Sequence, residues 1–159
     1  MTSDARTINE MFDTVSLGAP QNAVGFVMWR VMHRYLREVD QVLRPLDLTH
    51  LQFTTLTLAA WMSRTGEMAI QSELARFGDI HPMQVSNVLK ALEHKRLIQR
   101  TPKPGNALAK SVGITPAGLA ALRAALPLVI GVQRRLFGDE GRPGGRLLDA
   151  LILIDEQGH

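Results

Sequence analysis

The sequence predicts a mainly α-helical fold: a winged helix-turn-helix with a small two-stranded β-wing, flanked by N- and C-terminal dimerisation helices. Three observations carry the prediction. In His81–Lys95, Val85, Val88, Leu89 and Leu92 recur at i, i+3, i+4 and i+7, so one helical face is continuously apolar. Upstream, Gln71–Phe77 reads as a short helix, broken at Gly78-Asp79-Ile80 before Pro82 opens the next, where no amide donor is needed. Downstream, Ile98–Thr101 and Lys110–Ile114 read as strands, separated by the turn formers Pro102-Lys103-Pro104-Gly105-Asn106.

The opposite face of the central helix carries Met83, Gln84, Ser86, Asn87 and Lys90. It is small, polar and cationic. Gln and Asn bond base edges and Lys neutralises phosphate, which is what a helix entering the DNA major groove requires. Arg76, Lys90, Lys95, Arg96, Arg100, Lys103 and Lys110 surround it as a basic field.

Residues 1–19 are mixed in character, and Ile8, Met11 and Phe12 predict a short amphipathic turn or arm that packs on a neighbour. A long helix is expected from Gln21 to Arg44. Val24, Val27, Met28, Val31, Tyr35, Val39 and Val42 make one apolar band, and Phe26, Trp29, Met32, Leu36 and Leu43 widen it. A helix apolar on more than one side is buried on more than one side, and in a small protein the second surface is another subunit. Pro45 ends it. Thr49 is the N-cap of the next helix, which runs to about Ser63. Beyond the wing, Thr115-Pro116 starts a helix to about Phe137, with a kink at Pro127. Gly138–Gly145 is a linker, and Leu147, Leu148, Leu151, Ile152 and Ile154 make a final apolar helix.

The expectation is one domain over residues 1–159, with dimerisation helices at about 20–45 and 115–157 around a DNA-binding core at about 48–114. A twofold dimer presents two recognition helices to half-sites about one DNA turn apart. The composition, 45% hydrophobic and 21% charged, is that of a globular chain, and a net charge of +3 permits a nucleic-acid partner without demanding one. The absence of cysteine removes thiol catalysis, disulfides and zinc-thiolate sites. Asp4, Arg6, Asn9, Glu10 and Asp13 leave no signal-peptide core, and no apolar run reads as long enough to cross a membrane. A cytoplasmic protein without a membrane partner is expected.

Three segments carry a resemblance: Leu48-Thr49-His50-Leu51-Gln52-Phe53, Gln71-Ser72-Glu73-Leu74-Ala75 and Ile114-Thr115-Pro116-Ala117-Gly118. In that order and spacing the chain resembles the multiple antibiotic resistance regulator (MarR) family, and Leu92–Arg100 is similar to the family's junction of recognition helix and wing. The resemblance implies a homodimeric transcription regulator on pseudo-palindromic double-stranded DNA, often a repressor released by a small phenolic or lipophilic effector. It places Pro82, Met83, Gln84, Ser86, Asn87 and Lys90 in the groove, Ser72 against a phosphate, and Arg100 in support of the wing. Family wings commonly carry Asp-x-Arg where this chain has Asn106-Ala107-Leu108, and leucine cannot enter a narrow minor groove as arginine does. Lys103 and Lys110 are the substitute phosphate contacts. Arg96 replaces a usual glycine, straining the turn while adding a charge.

Other chemistry finds little support. His33, His50, His81, His94 and His159 show no H-E-x-x-H spacing, so no metal site is expected. Ser16, Ser86 and Ser111 lack a nucleophile elbow, and no glycine-rich phosphate loop is present, so neither an enzyme nor a cofactor is expected. Trp29, Met32, His33, Phe53 and Trp61 lie near where the family's effector pocket forms, and Arg30 and His33 are placed to orient an anionic aromatic ligand. The plainer reading of those five is core or dimer packing. The alternative function class is a winged-helix protein-interaction module with weak or non-specific DNA binding.

Overall fold

The computed structural model describes residues 2–158 except Pro104, and for residues 106–108 the backbone alone. The described elements are α1 (Ala5–Val15), α2 (Val24–Leu43), α3 (His50–Met62), β1 (Ala69–Ile70), α4 (Gln71–Phe77), α5 (Pro82–His94), β2 (Ile98–Lys103), β3 (Asn106–Ile114), α6 (Pro116–Phe137) and α7 (Arg146–Gln157). They form two compact units, Met1–Arg37 and Glu38–His159, with α2 continuous across the boundary.

In the first unit, α1 is an eleven-residue helix where the sequence suggested only a turn or arm. Asp4 caps it, its carboxylate accepting the Thr7 amide at 2.8 Å. Ile8, Met11, Phe12 and Val15 are exposed along it, and so are Phe26, Val27, Met28, Trp29, Val31 and Met32 on α2. No described residue before Val39 is buried. This is the apolar excess read from the sequence, with nothing in the chain to cover it.

The second unit holds the core. Val39 and Leu43 of α2, Leu56 and Ala59 of α3, Leu74 of α4, Val85, Leu89 and Leu92 of α5, and Val129 and Val132 of α6 are all buried. Its helices start where local chemistry favours it. Thr49 and Gln52 form a reciprocal capping box, and Thr115 accepts the Gly118 amide at 3.0 Å with Pro116 in the first turn. Gly78 is required for space rather than backbone freedom: a Cβ there would lie 2.9 Å from both Leu58 Cδ1 and Ile80 Cδ1. Asp79 takes the left-handed conformation at φ 47° instead.

Two expectations are corrected. The sheet has three antiparallel strands in the order β1-β3-β2, not two, because Ala69 and Ile70 pair with Val112 and Ser111. A two-residue strand is too short to show a period. Strand β2 also runs on through Pro102 and Lys103, which the sequence placed in the turn; as an edge strand it tolerates proline, and its register breaks there. The second correction concerns membrane length. Pro116–Gly141 is long and apolar enough to pass that test, since α6 continues unbroken through Pro127. Its sides carry different apolar sets: Leu122, Ala125, Val129 and Val132 are buried, whereas Leu119, Leu126, Leu128 and Ile130 are exposed.

Candidate nucleic-acid interface

Helix α5 is rotationally fixed by its buried side. Val85, Leu89 and Leu92 are fully buried, which turns Pro82, Met83, Gln84, Asn87 and Lys90 outward and leaves Ser86 half-buried. Met83 is 65% exposed, an unusual position for a large apolar side chain unless it meets a partner. The helix start is shaped by His81, whose Nδ1 accepts the Met83 amide at 3.2 Å, and by Pro82 in the first turn.

Beside this face, α4, the start of α5 and β3 enclose a groove of about 270 Å³ lined by Gln71, Ser72, Ala75, Pro82, Ala109 and Lys110. It brings together three residues selected from the sequence, Ser72, Pro82 and Lys110. Lys103 stands exposed at the far end of β2. The side chains of Asn106, Ala107 and Leu108, on which the departure from the family wing turns, lie outside the described residues.

Two of the basic residues face inward. The Arg100 guanidinium is only 11% exposed and clamps Glu93, with Nε 3.0 Å and Nη2 2.6 Å from Oε2, while its own amide bonds Oε1 at 3.1 Å. That fork fixes the root of β2 to α5 and, chiefly through the Arg100 hydrogen bond, holds the Glu93 carboxyl below its ordinary pKa. Arg100 therefore supports the wing, as the resemblance implied, and is not placed as a phosphate ligand. Lys95 is also engaged, through Asp47 and Gln52. Arg76, Lys90, Arg96, Lys103 and Lys110 remain exposed.

The end of α5 is joined to α6 by a close approach invisible to periodicity. Arg96 sits at φ 59°, and the Arg96 and Leu97 amides bond back to Glu93 and Leu92 at 2.9 and 3.0 Å, a helix stop in which glycine is the usual residue. Thr115 Oγ1 donates to the Arg96 carbonyl at 2.8 Å and its amide to the Leu97 carbonyl at 3.1 Å. Gly118 packs so tightly against Leu97 that a Cβ would stand 2.0 Å from the Leu97 oxygen.

Of the residues considered for an effector, Trp29, Arg30, Met32 and His33 are in the first unit and exposed. The Trp29 and His33 rings pack at 4.2 Å, with His33 Nδ1 2.7 Å from the Trp29 carbonyl, and Arg30 lies 5.9 Å from the Phe26 ring. A concavity of about 410 Å³ runs along this part of α2, edged by Trp29, Arg30, His33 and Arg37. In the second unit Phe53 is buried in the core, and Trp61 is exposed with the Arg64 guanidinium 3.7 Å over its ring. Phe53 thus serves packing. Among the described residues, no three His, Asp or Glu side chains are grouped to hold a metal ion.

Comparison with known proteins agrees with this architecture. A family model for the MarR family matches residues 48–110. The HTH-type transcriptional regulator YdcH of Bacillus subtilis (strain 168) is 34% identical over 118 residues, covering 74% of this chain and 80% of that protein. CouR from Rhodococcus jostii RHA1, solved with p-coumaroyl-CoA bound, superposes with a TM-score of 0.70 at 25% identity over 88% of this chain and 91% of that one. MepR of S. aureus, solved with DNA, shares the fold with a TM-score of 0.75 at 21% identity over 86% and 98%. With its helix-turn-helix, its wing and a relative of this identity and coverage, the chain belongs to the MarR family of winged-helix transcription regulators and is not an enzyme.

Proposed function

We propose that the chain acts as a cytoplasmic homodimer that reads a pseudo-palindromic operator with α5 and represses transcription until a small aromatic effector releases it. The observation that carries the DNA reading is the division of α5, with Val85, Leu89 and Leu92 fully buried and Met83, Gln84, Asn87 and Lys90 exposed. Gln84 and Asn87 supply base-edge donors and acceptors, Lys90 and Lys110 supply phosphate contacts, and Ser72 supplies a hydroxyl beside the same groove. Residues 48–114 form the reading core, and α1, α2, α6 and α7 supply the subunit contact. Support for a dimer comes from the large apolar side chains exposed on α1, α2, α6 and α7, more than a monomer leaves in water. Support for an effector comes from the Trp29–His33 pair beside Arg30, an aromatic surface with a fixed positive charge, and from CouR, which was solved with an aromatic acyl thioester.

The test is selection of bound sequences from random duplex DNA, with sedimentation of the protein alone and in complex. The expected result is an inverted repeat with half-sites about one turn apart, bound by a dimer. Weak, sequence-blind binding by a monomer refutes the proposal and favours the protein-interaction reading. Phenolic acids that raise the melting temperature and release the operator support the effector; no shift across the series removes it.

A further inference from the structure

Lys95 differs from the other cations of the winged unit because its ammonium is fully engaged. It follows the last residue of α5, where unpaired helix carbonyls favour a positive charge. Its Nζ donates to the Asp47 carbonyl and lies 3.1 Å from Gln52 Oε1 and 3.1 Å from Asp47 Oδ2. An ammonium has three protons, and all three have acceptors here. The lysine side chain is 25% exposed while that of Asp47 is 89% exposed, so the carboxylate is mostly solvated and adds little. The two neutral oxygens do most of the holding.

Both oxygens are themselves fixed. Asp47 is in the left-handed region at φ 53°, with its amide bonded to the Arg44 carbonyl at 3.0 Å, which sets the direction of its own carbonyl. Gln52 Oε1 also accepts the Thr49 amide at 3.3 Å as half of the capping box that starts α3. Lys95 therefore ties the end of α5 to the turn between α2 and α3. On its other side, Thr115 holds the Arg96 carbonyl, and Glu93 holds the wing.

We propose that Lys95 is a positioning residue for operator recognition: through Asp47 and Gln52 it sets the angle at which α5 is presented, and it makes no phosphate contact. A phosphate contact would have to break one of these bonds, whereas Lys90 is exposed on the reading face and free to make one. This role rests on α5 being the reading helix.

The experiment compares Lys95→Met, Lys95→Arg and Lys90→Met, with Asn87→Ala as the control for the helix. Each is titrated with the selected inverted-repeat duplex and a random duplex of equal length, at several salt concentrations and well below the melting temperature. For Lys95→Met the expected result is about tenfold weaker operator binding, equal to about 1.4 kcal/mol, with random-duplex affinity and salt slope unchanged. Lys95→Arg keeps the charge and the fold, yet its planar fork cannot reproduce a compact three-way ammonium site, so it too loses operator preference. Lys90→Met weakens both duplexes and flattens the slope of log affinity against log salt by roughly 0.9. A flattened slope in Lys95→Met, or full operator affinity in Lys95→Arg, makes Lys95 a phosphate ligand and overturns the proposal. A lower melting temperature with an unchanged operator-to-random ratio reduces Lys95 to a structural residue and overturns it as well. Full operator preference in Asn87→Ala overturns α5 as the reader and the Lys95 role with it.

Discussion

Substituting Gly118 by alanine tests the junction between α5 and α6. The added Cβ would stand 2.0 Å from the Leu97 oxygen, 3.0 Å from the Leu97 carbonyl carbon and 3.2 Å from Ile114 Cγ2. Relief requires more than an ångström of separation, and the nearest obstacle is backbone that cannot rotate away. That movement pulls apart the Thr115 amide bond to Leu97 at 3.1 Å and the Thr115 hydroxyl bond to Arg96 at 2.8 Å. Overpacking of this kind costs about 1–3 kcal/mol. Losing a neutral hydrogen bond costs about 1 kcal/mol more. The expected destabilisation is therefore about 2–4 kcal/mol. Gly131 is the matched control on the same helix, because a Cβ there meets nothing within 4 Å in this chain. Gly131→Ala should instead gain about 0.5–1 kcal/mol from helix propensity. Urea unfolding followed by far-ultraviolet circular dichroism, at one fixed protomer concentration, measures both. A Gly118→Ala midpoint within error of the unsubstituted chain refutes the close approach.

Three other outcomes are expected. Arg96→Gly relieves the left-handed residue at φ 59°, worth about 1–2 kcal/mol against some gain in unfolded-state freedom, so unfolding should show about 0.5–1 kcal/mol of added stability. Acid should weaken the fold in two windows, because both shifted groups have lowered pKa values. His50, shifted down chiefly by burial against the opposing pull of Asp40, stabilises the fold fully above its ordinary 6.5 and loses that contribution as pH falls below it. Glu93, shifted down chiefly by Arg100, contributes above its ordinary 4.5 and is lost as pH falls further. His50→Gln should remove the upper step and Glu93→Gln the lower, as read from melting temperature against pH. Arg100→Met unpins the root of β2 and should lower operator affinity roughly tenfold, while leaving the salt slope within about 0.3, since that guanidinium faces Glu93.

Much of this architecture is legible in the sequence because its signals are local. Thr49, Pro82, Thr115 and Pro116 mark helix starts through single residues, and the Val85–Leu92 stripe fixes which side of α5 turns inward. What the sequence hides depends on partners distant along the chain. Lys95 and Arg100 read as part of one basic field with Lys90, yet their partners Asp47 and Glu93 lie 48 and 7 residues away, and only folding turns them inward. Strand β1 has no period of its own and exists because β3 offers it Ser111 and Val112. Gly118 resembles any helical glycine until Leu97 is placed beside it. The apolar excess of α1, α2 and α6 was readable as a demand for a second surface, and in the folded chain those side chains are still exposed.

The most direct test of α5 as the reader is the base preference of Asn87→Ala and Gln84→Ala on the selected operator, measured against every single-base variant of one half-site. The account predicts that each substitution removes preference at one or two adjacent base pairs, about 1–3 kcal/mol per position, while affinity for random DNA and the salt slope stay as they were. An unaltered preference profile in both variants would contradict it, because the exposed face of α5 would then not touch the bases.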